Sequence, residues 1–308
     1  MTASRSRILI IKHGALGDVV MALGPMAAIR AHHADARITV LTTAPYAAFL
    51  GQSPLADEVW VDEHPPAWRF DRVIALARRL RGGRFDRVYD LQTSDRSSLY
   101  FRLLGTPKPE WSGIARGCSH PHADPARDRM HTLDRQRAQL GLAGIVEVPD
   151  ANLGWATADF GGFGLPERYA LLAPGGAAHR PAKRWPAERF GALALRLAHR
   201  GMAPVLVGAE RDALAATHAA CPAAIDLGGA TSLIELAALA RGAVLAVGND
   251  SGPMHLAAVV GCPTLVLFSG ASDPDLTAPR GPRVAVLRAG RLAELDVDAV
   301  LAALPARA

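Results

Sequence analysis

The sequence predicts an α/β protein made of two Rossmann-like domains, each a parallel sheet covered by helices on both faces. Short apolar runs of strand length alternate with helical periodicity along the whole chain, the signature of covered parallel sheets. The 308 residues also exceed the size at which one core usually suffices. Two strand–turn–helix segments, one near each end, give the same picture locally.

In the first half, strands are expected at 7–12, 37–41, 58–61 and 86–91. Helices are expected near 19–32, 44–50, 68–81 and 95–104. In the second half, strands fall at 169–173, 204–208, 223–227, 243–247 and 264–268. Helices lie near 186–200, 209–219, 231–240 and 253–260, and a strand near 283–287 and a helix near 296–304 finish the chain. Gly161-Gly-Phe-Gly164 sits in a stretch without periodicity, so 154–166 reads as a linker between domains 1–153 and 167–308.

Composition narrows the class. Half the residues are hydrophobic and a fifth are charged, which suits packed cores and not a disordered chain. The three cysteines, Cys118, Cys221 and Cys262, are scattered and odd in number, so a reducing, cytoplasmic setting is expected. Ile8–Ile11 is too short for a signal-peptide core. The uncharged run 254–272 is split by Gly261-Cys-Pro263 and is not read as a membrane span.

The net charge is +5, and Arg69, Arg72, Arg78, Arg79, Arg81, Arg84, Arg87, Arg96 and Arg102 crowd into one stretch. Such a stretch suits a phosphorylated lipid headgroup at a membrane surface; a solvated helix face in an arginine-biased chain explains it equally well. Nucleic acid is not expected as a partner, because the chain shows no known nucleic-acid-binding module.

Two segments carry the chemistry. In Ile8-Leu-Ile-Ile-Lys12-His13-Gly14-Ala15-Leu16-Gly17-Asp18, a strand meets two glycines and an acid at the mouth of a helix. Asp18 either stabilises that helix by roughly 0.5–2 kcal/mol or serves as a reacting group. In Val247-Gly-Asn-Asp250-Ser251-Gly252-Pro253-Met-His255, a buried strand turns into a helix with Asp250 or Ser251 at the N-cap. Free N–H groups and a helix dipole at such a turn favour a phosphate. No Gly-x-Gly-x-x-Gly or Walker lysine loop follows any strand, so dinucleotide and P-loop readings lack their phosphate-binding elements.

Gly14-Ala-Leu-Gly-Asp18, Pro174-Gly-Gly followed by Lys183-Arg-Trp-Pro186, and Gly248-Asn-Asp-Ser-Gly-Pro-Met-His255 occur in this order across roughly residues 7–285. With these motifs the chain resembles glycosyltransferase family 9, the ADP-heptose:lipopolysaccharide heptosyltransferases. The resemblance implies the GT-B architecture, two Rossmann-like domains with parallel sheets facing a central cleft, the last helix often packing back on the first domain. It implies an inverting, metal-independent transfer of heptose from ADP-heptose to a lipopolysaccharide inner-core or related glycan, with no cofactor. The partners so implied are the ADP-sugar donor and an anionic glycolipid acceptor, at the inner-membrane face.

The resemblance also assigns roles. Asp18 becomes the catalytic base and Lys183 the phosphate-binding lysine, and Gly17 counts with the donor-binding residues. Ser251, Gly252 and His255 join the donor site. Asp226 matches a ribose-hydroxyl acceptor, although a turn role accounts for it as well; Asp250 either orders the phosphate turn or contacts the sugar. Where the family often carries hydroxyl residues before the basic-Trp-Pro segment, this chain has Ala177-Ala178-His179-Arg180. Either His179 or Arg180 replaces those donors, or Lys183 and the helix suffice. Asp95 and Arg96 are candidates to face the acceptor. Cys118, His120, His122 and His131 lack the tight paired spacing of zinc sites and are read as a loop. Two other readings stand: a nucleotide-sugar-binding protein of the same fold that has lost transfer, and a GT-B sugar-nucleotide epimerase.

Overall fold

A computed structural model describes residues 5–66, 68–176 and 180–305. The chain forms two compact units, Met1–Ala151 and Asn152–Ala308. In the first, strands β1 (Arg7–Ile11), β2 (Arg37–Thr42), β3 (Glu58–Val61), β4 (Arg87–Asp90), β5 (Glu110–Gly113) and β6 (His120–Pro121) alternate with helices. These are α1 (Leu16–Met21), α2 (Leu23–His32), α3 (Ala44–Gly51), α4 (Phe70–Gly82), α5 (Asp95–Leu103) and α6 (Thr132–Leu142). The strands form one parallel sheet in the order β3-β2-β1-β4-β5-β6. Ile8 to Ile11 of β1 are buried without alternation, because helices cover both faces of a central parallel strand.

The second unit repeats the plan. Strands β7 (Tyr169–Ala173), β8 (Ala203–Leu206), β9 (Ile225–Asp226), β10 (Leu245–Asn249), β11 (Thr264–Ser269) and β12 (Val284–Ala289) pair in parallel in the order β12-β11-β10-β7-β8-β9. Between and after them run α7 (Ala187–His199), α8 (Arg211–Ala220), α9 (Leu233–Gly242), α10 (Gly252–Val259), α11 (Pro274–Thr277) and α12 (Val297–Ala302). Helix α7 buries Phe190, Leu193, Ala194 and Leu197 against Leu172, Leu206 and Val247. Each large apolar side chain so buried contributes about 1.5–3 kcal/mol. A Cβ on Gly191 would stand 2.3 Å from that of Ala220, so glycine sets the close approach of α7 and α8.

The structure departs from the sequence reading in two places. The expected helix 19–32 is two helices meeting at Ala22. Strand β6 falls in the segment read as loop, and β5 and α6 fall where no element was expected. Within the second unit, Leu153 and Ala156 are buried, and both their carbonyls accept from Arg241 in the last turn of α9. The final helix has Val300 in the core of the second unit and packs on α7.

Candidate active site

In both sheets the strand order reverses beside the first strand. The reversal separates the loops after β1 and β4 in one unit and those after β7 and β10 in the other. Such a switch point opens a crevice at the carboxyl ends of the strands, where α/β proteins bind ligands.

In the first unit this crevice is bounded by the loop 12–15 and the loop 91–94. Gly14 has φ +130, and a Cβ on it would lie 2.3 Å from the Tyr46 ring, so only glycine fits. Asp18 sits half-buried in the first turn of α1, and Gly17 is buried beside it. Its electrostatic neighbours are Lys12 and Tyr46. Burial pushes the Lys12 ammonium below the usual lysine range while the Asp18 carboxylate pulls it back up. Burial, then Asp18, raises the Tyr46 phenol. Lys12 Nζ donates to Leu91 O at 3.2 Å, and His13 N donates to Gln92 Oε1 at 3.0 Å, which ties the two loops together. Asp90 ends β4 with one oxygen accepting the Gln92 and Thr93 N–H groups, while its Oδ2 is buried without a hydrogen bond. Burial pushes its carboxyl up to about 6, against those hydrogen bonds. Asp95 and Arg96 open α5 at the same edge; Asp95 is exposed and Arg96 Nη1 donates to Pro65 O at 3.3 Å.

In the second unit Lys183, at the end of a short 3₁₀ turn, donates to Asp250 Oδ2 at 2.6 Å. Both side chains are largely buried, at 12 % and 9 % exposure, which is the setting in which an ion pair holds its geometry. Ser251 is the N-cap of α10, but its hydroxyl does not cap: Oγ is buried without a hydrogen bond. Gly252 and Pro253 begin the helix, and His255 is buried in its first turn. Gly248 lies where a Cβ would meet Met254 Sδ at 2.5 Å. Arg180 is exposed just before the 3₁₀ turn; His179 lies outside the described residues. Asp226 ends the edge strand β9 and accepts Gly228 N at 2.8 Å, which is the turn role. Three strand spacings separate it from β10, about 14 Å.

Two residues carry a role that the sequence did not assign them. Asn249 is fully buried at the end of β10. Its Nδ2 donates to Pro174 O and Gly175 O at 2.8 and 3.0 Å, and its Oδ1 accepts Trp185 N at 2.9 Å. It thereby fixes both ends of the segment that carries Lys183. Glu210, after β8, lies so close to Gly175 that a Cβ there would be 2.0 Å from Oε2. An asparagine closing an apolar strand was the available signal for the first. Nothing local marked the second.

Residues 73–300 match the family described as glycosyltransferase family 9 (heptosyltransferase). The chain belongs to this family, and it is a glycosyltransferase. It is 28 % identical over 306 residues to lipopolysaccharide heptosyltransferase 2 of Escherichia coli K12, covering 92 % of this chain and 88 % of that one. Its structure is similar to that of the E. coli ADP-heptose lipopolysaccharide heptosyltransferase II, with a TM-score of 0.79, 25 % identity and 96 % of each chain covered. The glycosyltransferase family 9 protein of Veillonella parvula shares the fold, with a TM-score of 0.83 at 22 % identity, over 98 % of this chain and 97 % of that one. Two six-stranded parallel sheets of this kind make the GT-B glycosyltransferase fold. Among the described residues, no helix is long and apolar enough to cross a membrane.

Proposed function

We propose that the protein transfers a heptose, with inversion, from ADP-heptose to a lipopolysaccharide inner-core or related glycan acceptor. The observation that carries this reading is the second switch point, where a largely buried lysine held by Asp250 and the unpartnered Ser251 hydroxyl meet at the amino end of α10. That combination fits a diphosphate leaving group. An ammonium has three donors; Asp250 takes one and two remain for phosphate oxygens. Asp226, at the far edge of the same sheet, is within the span of a bound nucleotide and takes the ribose hydroxyls in this reading.

Asp18 is the base. It takes the acceptor hydroxyl proton as that oxygen bonds to the anomeric carbon, and the bond from that carbon to the diphosphate oxygen breaks on the opposite face. The electron pair leaves with ADP, whose new negative charge is met by Lys183, Ser251 and the α10 dipole. These groups supply the positive potential without a metal. Asp95 and Arg96 are assigned to the acceptor.

An anionic glycolipid acceptor at the cytoplasmic leaflet is supported by the region around α4. Trp68 and Phe70 are 74 % and 71 % exposed, and Ile74 follows one turn later with the exposed Arg78 beyond it. Exposed aromatics among arginines suit a negatively charged interface.

The test is whether purified protein releases ADP from ADP-heptose only when a core acceptor is added. Acceptor-dependent release is expected. Tight donor binding with no release under any acceptor would leave the nucleotide-sugar-binding reading.

A further inference from the structure

At the β1–α1 loop, which leads into the helix that carries Asp18, three side chains from two chain segments converge. His13 follows β1; Asp62 and His64 follow β3. His13 Nε2 is 3.1 Å and His64 Nε2 is 3.6 Å from the same oxygen, Asp62 Oδ2, and one ligand atom from each residue falls within 4.8 Å of the others. We propose that His13, Asp62 and His64 form a binding site for one zinc-like divalent cation, which clamps the β1–α1 loop to the loop after β3.

The geometry fits the ion. Ligand atoms about 2.0–2.1 Å from zinc in a tetrahedron stand about 3.3 Å from one another, between the two separations observed. Two imidazoles and one carboxylate are also a ligand set suited to zinc and its neighbours in the transition series.

A plain hydrogen-bonded triad accounts less well for His13. Its Nε2 is buried and near Asp62, yet out of line for a hydrogen bond, so a buried nitrogen has no aligned partner. A metal on that nitrogen satisfies it. Outer contacts already hold the ligands: Asp62 Oδ2 accepts the Tyr100 hydroxyl, Asp62 Oδ1 accepts His64 N at 2.9 Å, and the His13 backbone is bonded to Gln92 and Thr43. Such partners orient metal ligands.

The His64 side chain is 39 % exposed, which gives the ion a path in and leaves the fourth position to water. Arg96 faces His64 and opposes any cation there, which sets the affinity below that of a closed zinc site.

The experiment titrates cobalt(II), then zinc(II), into the chelator-treated full chain and into His64→Ala and His32→Ala. His64 is exposed, so its loss leaves the fold intact, as circular dichroism in chelator checks. The wild type and His32→Ala are expected to take up one cobalt with the intense visible bands of tetrahedral coordination, displaced by zinc. Zinc should raise their melting temperature. In His64→Ala the bands vanish and affinity falls by more than about a hundredfold, beyond the loss of an outer partner alone. Equal binding by wild type and His64→Ala, or no tetrahedral bands in the wild type, would overturn the site and leave the three residues as a hydrogen-bonded knot.

Discussion

The two switch points have the same topology and treat charge in opposite ways. In the first unit, Lys12, just after β1, and Asp90, at the end of the neighbouring β4, are buried without pairing: the lysine donates to a carbonyl, and one carboxylate oxygen has no hydrogen bond. Burial pushes one group down and the other up to about 6. In the second unit, Lys183 and Asp250 face each other at 2.6 Å. Groups that change charge easily suit a place where a proton moves; a fixed pair suits a place where an anion is held. The difference supports a division of labour between proton transfer beside Asp18 and diphosphate binding beside Lys183.

The largest effect that would break this division concerns Asp18. Asp18→Asn should cut turnover by roughly 10²–10⁴-fold and leave donor affinity nearly unchanged, as single-turnover kinetics and calorimetry would read. Near-normal turnover would reduce Asp18 to a helix-stabilising residue.

Next comes the pair. Lys183→Ala strands a buried carboxylate, which costs about 3–5 kcal/mol, and removes a charge-assisted bond to phosphate. ADP affinity should fall on the order of tenfold to a hundredfold. Removing Asp250 as well, in Lys183→Ala/Asp250→Ala, should restore most of the stability and none of the affinity. Recovery of both would show that Asp250, and not the phosphate, is what Lys183 serves. Lys183→Arg should recover only part, because a planar fork does not place its charge where an ammonium does.

The same contrast explains what could be read from the sequence. The Gly248–Pro253 turn was legible because its chemistry is local: glycine where Met254 crowds the backbone, a polar cap, and proline in the first helical turn. The alternation of strands and helices was legible for the same reason, since Ile8–Ile11 and Leu265–Phe268 are apolar throughout. Helix α6 was not, because it points Gln136 and Gln139 inward, and Gln139 spends its amide on Asp90 O and Ser112 O. Strand β6 is two residues long and exists only through its pairing with β5. Asn249 bonds to residues more than sixty positions away, a partnership no local pattern can contain. The glycine at 24 likewise answers to a distant contact, since a Cβ there would lie 2.2 Å from Pro149 O.

Asp90 sharpens the first side of the comparison. Its carboxyl is up to about 6 in the folded protein against 3.8 as the reference value, so the folded state binds its proton more tightly than the unfolded chain. Stability from this group is therefore present below about pH 4 and is lost as pH rises toward 6. Asp90→Asn removes the titration. Relative to wild type, the variant should gain roughly 2.5 kcal/mol between pH 4 and pH 8, as urea unfolding at the two pH values would measure. A difference independent of pH would mean that Asp90 finds a partner for its charge and that the first unit does not keep it poised.

The smallest effect separates two uses of one hydroxyl on the second side. An N-cap serine normally stabilises its helix, and replacing it by alanine costs about 0.5–2 kcal/mol. Ser251 occupies the N-cap of α10 without making that bond, and its Oγ is buried with no partner. Ser251→Ala should therefore leave the melting temperature within the scatter of neutral substitutions, because no cap is lost and a buried unsatisfied group is removed. If the hydroxyl instead donates to the diphosphate, the cost appears only on binding. One neutral-donor bond is worth about 0.5–1.5 kcal/mol, so ADP affinity should fall by about twofold to tenfold, less than for Lys183→Ala. Calorimetry of ADP binding beside a thermal melt reads both quantities on one preparation. A drop in stability with unchanged affinity would make Ser251 an ordinary cap and shift the burden of phosphate binding to Lys183 and the backbone of α10.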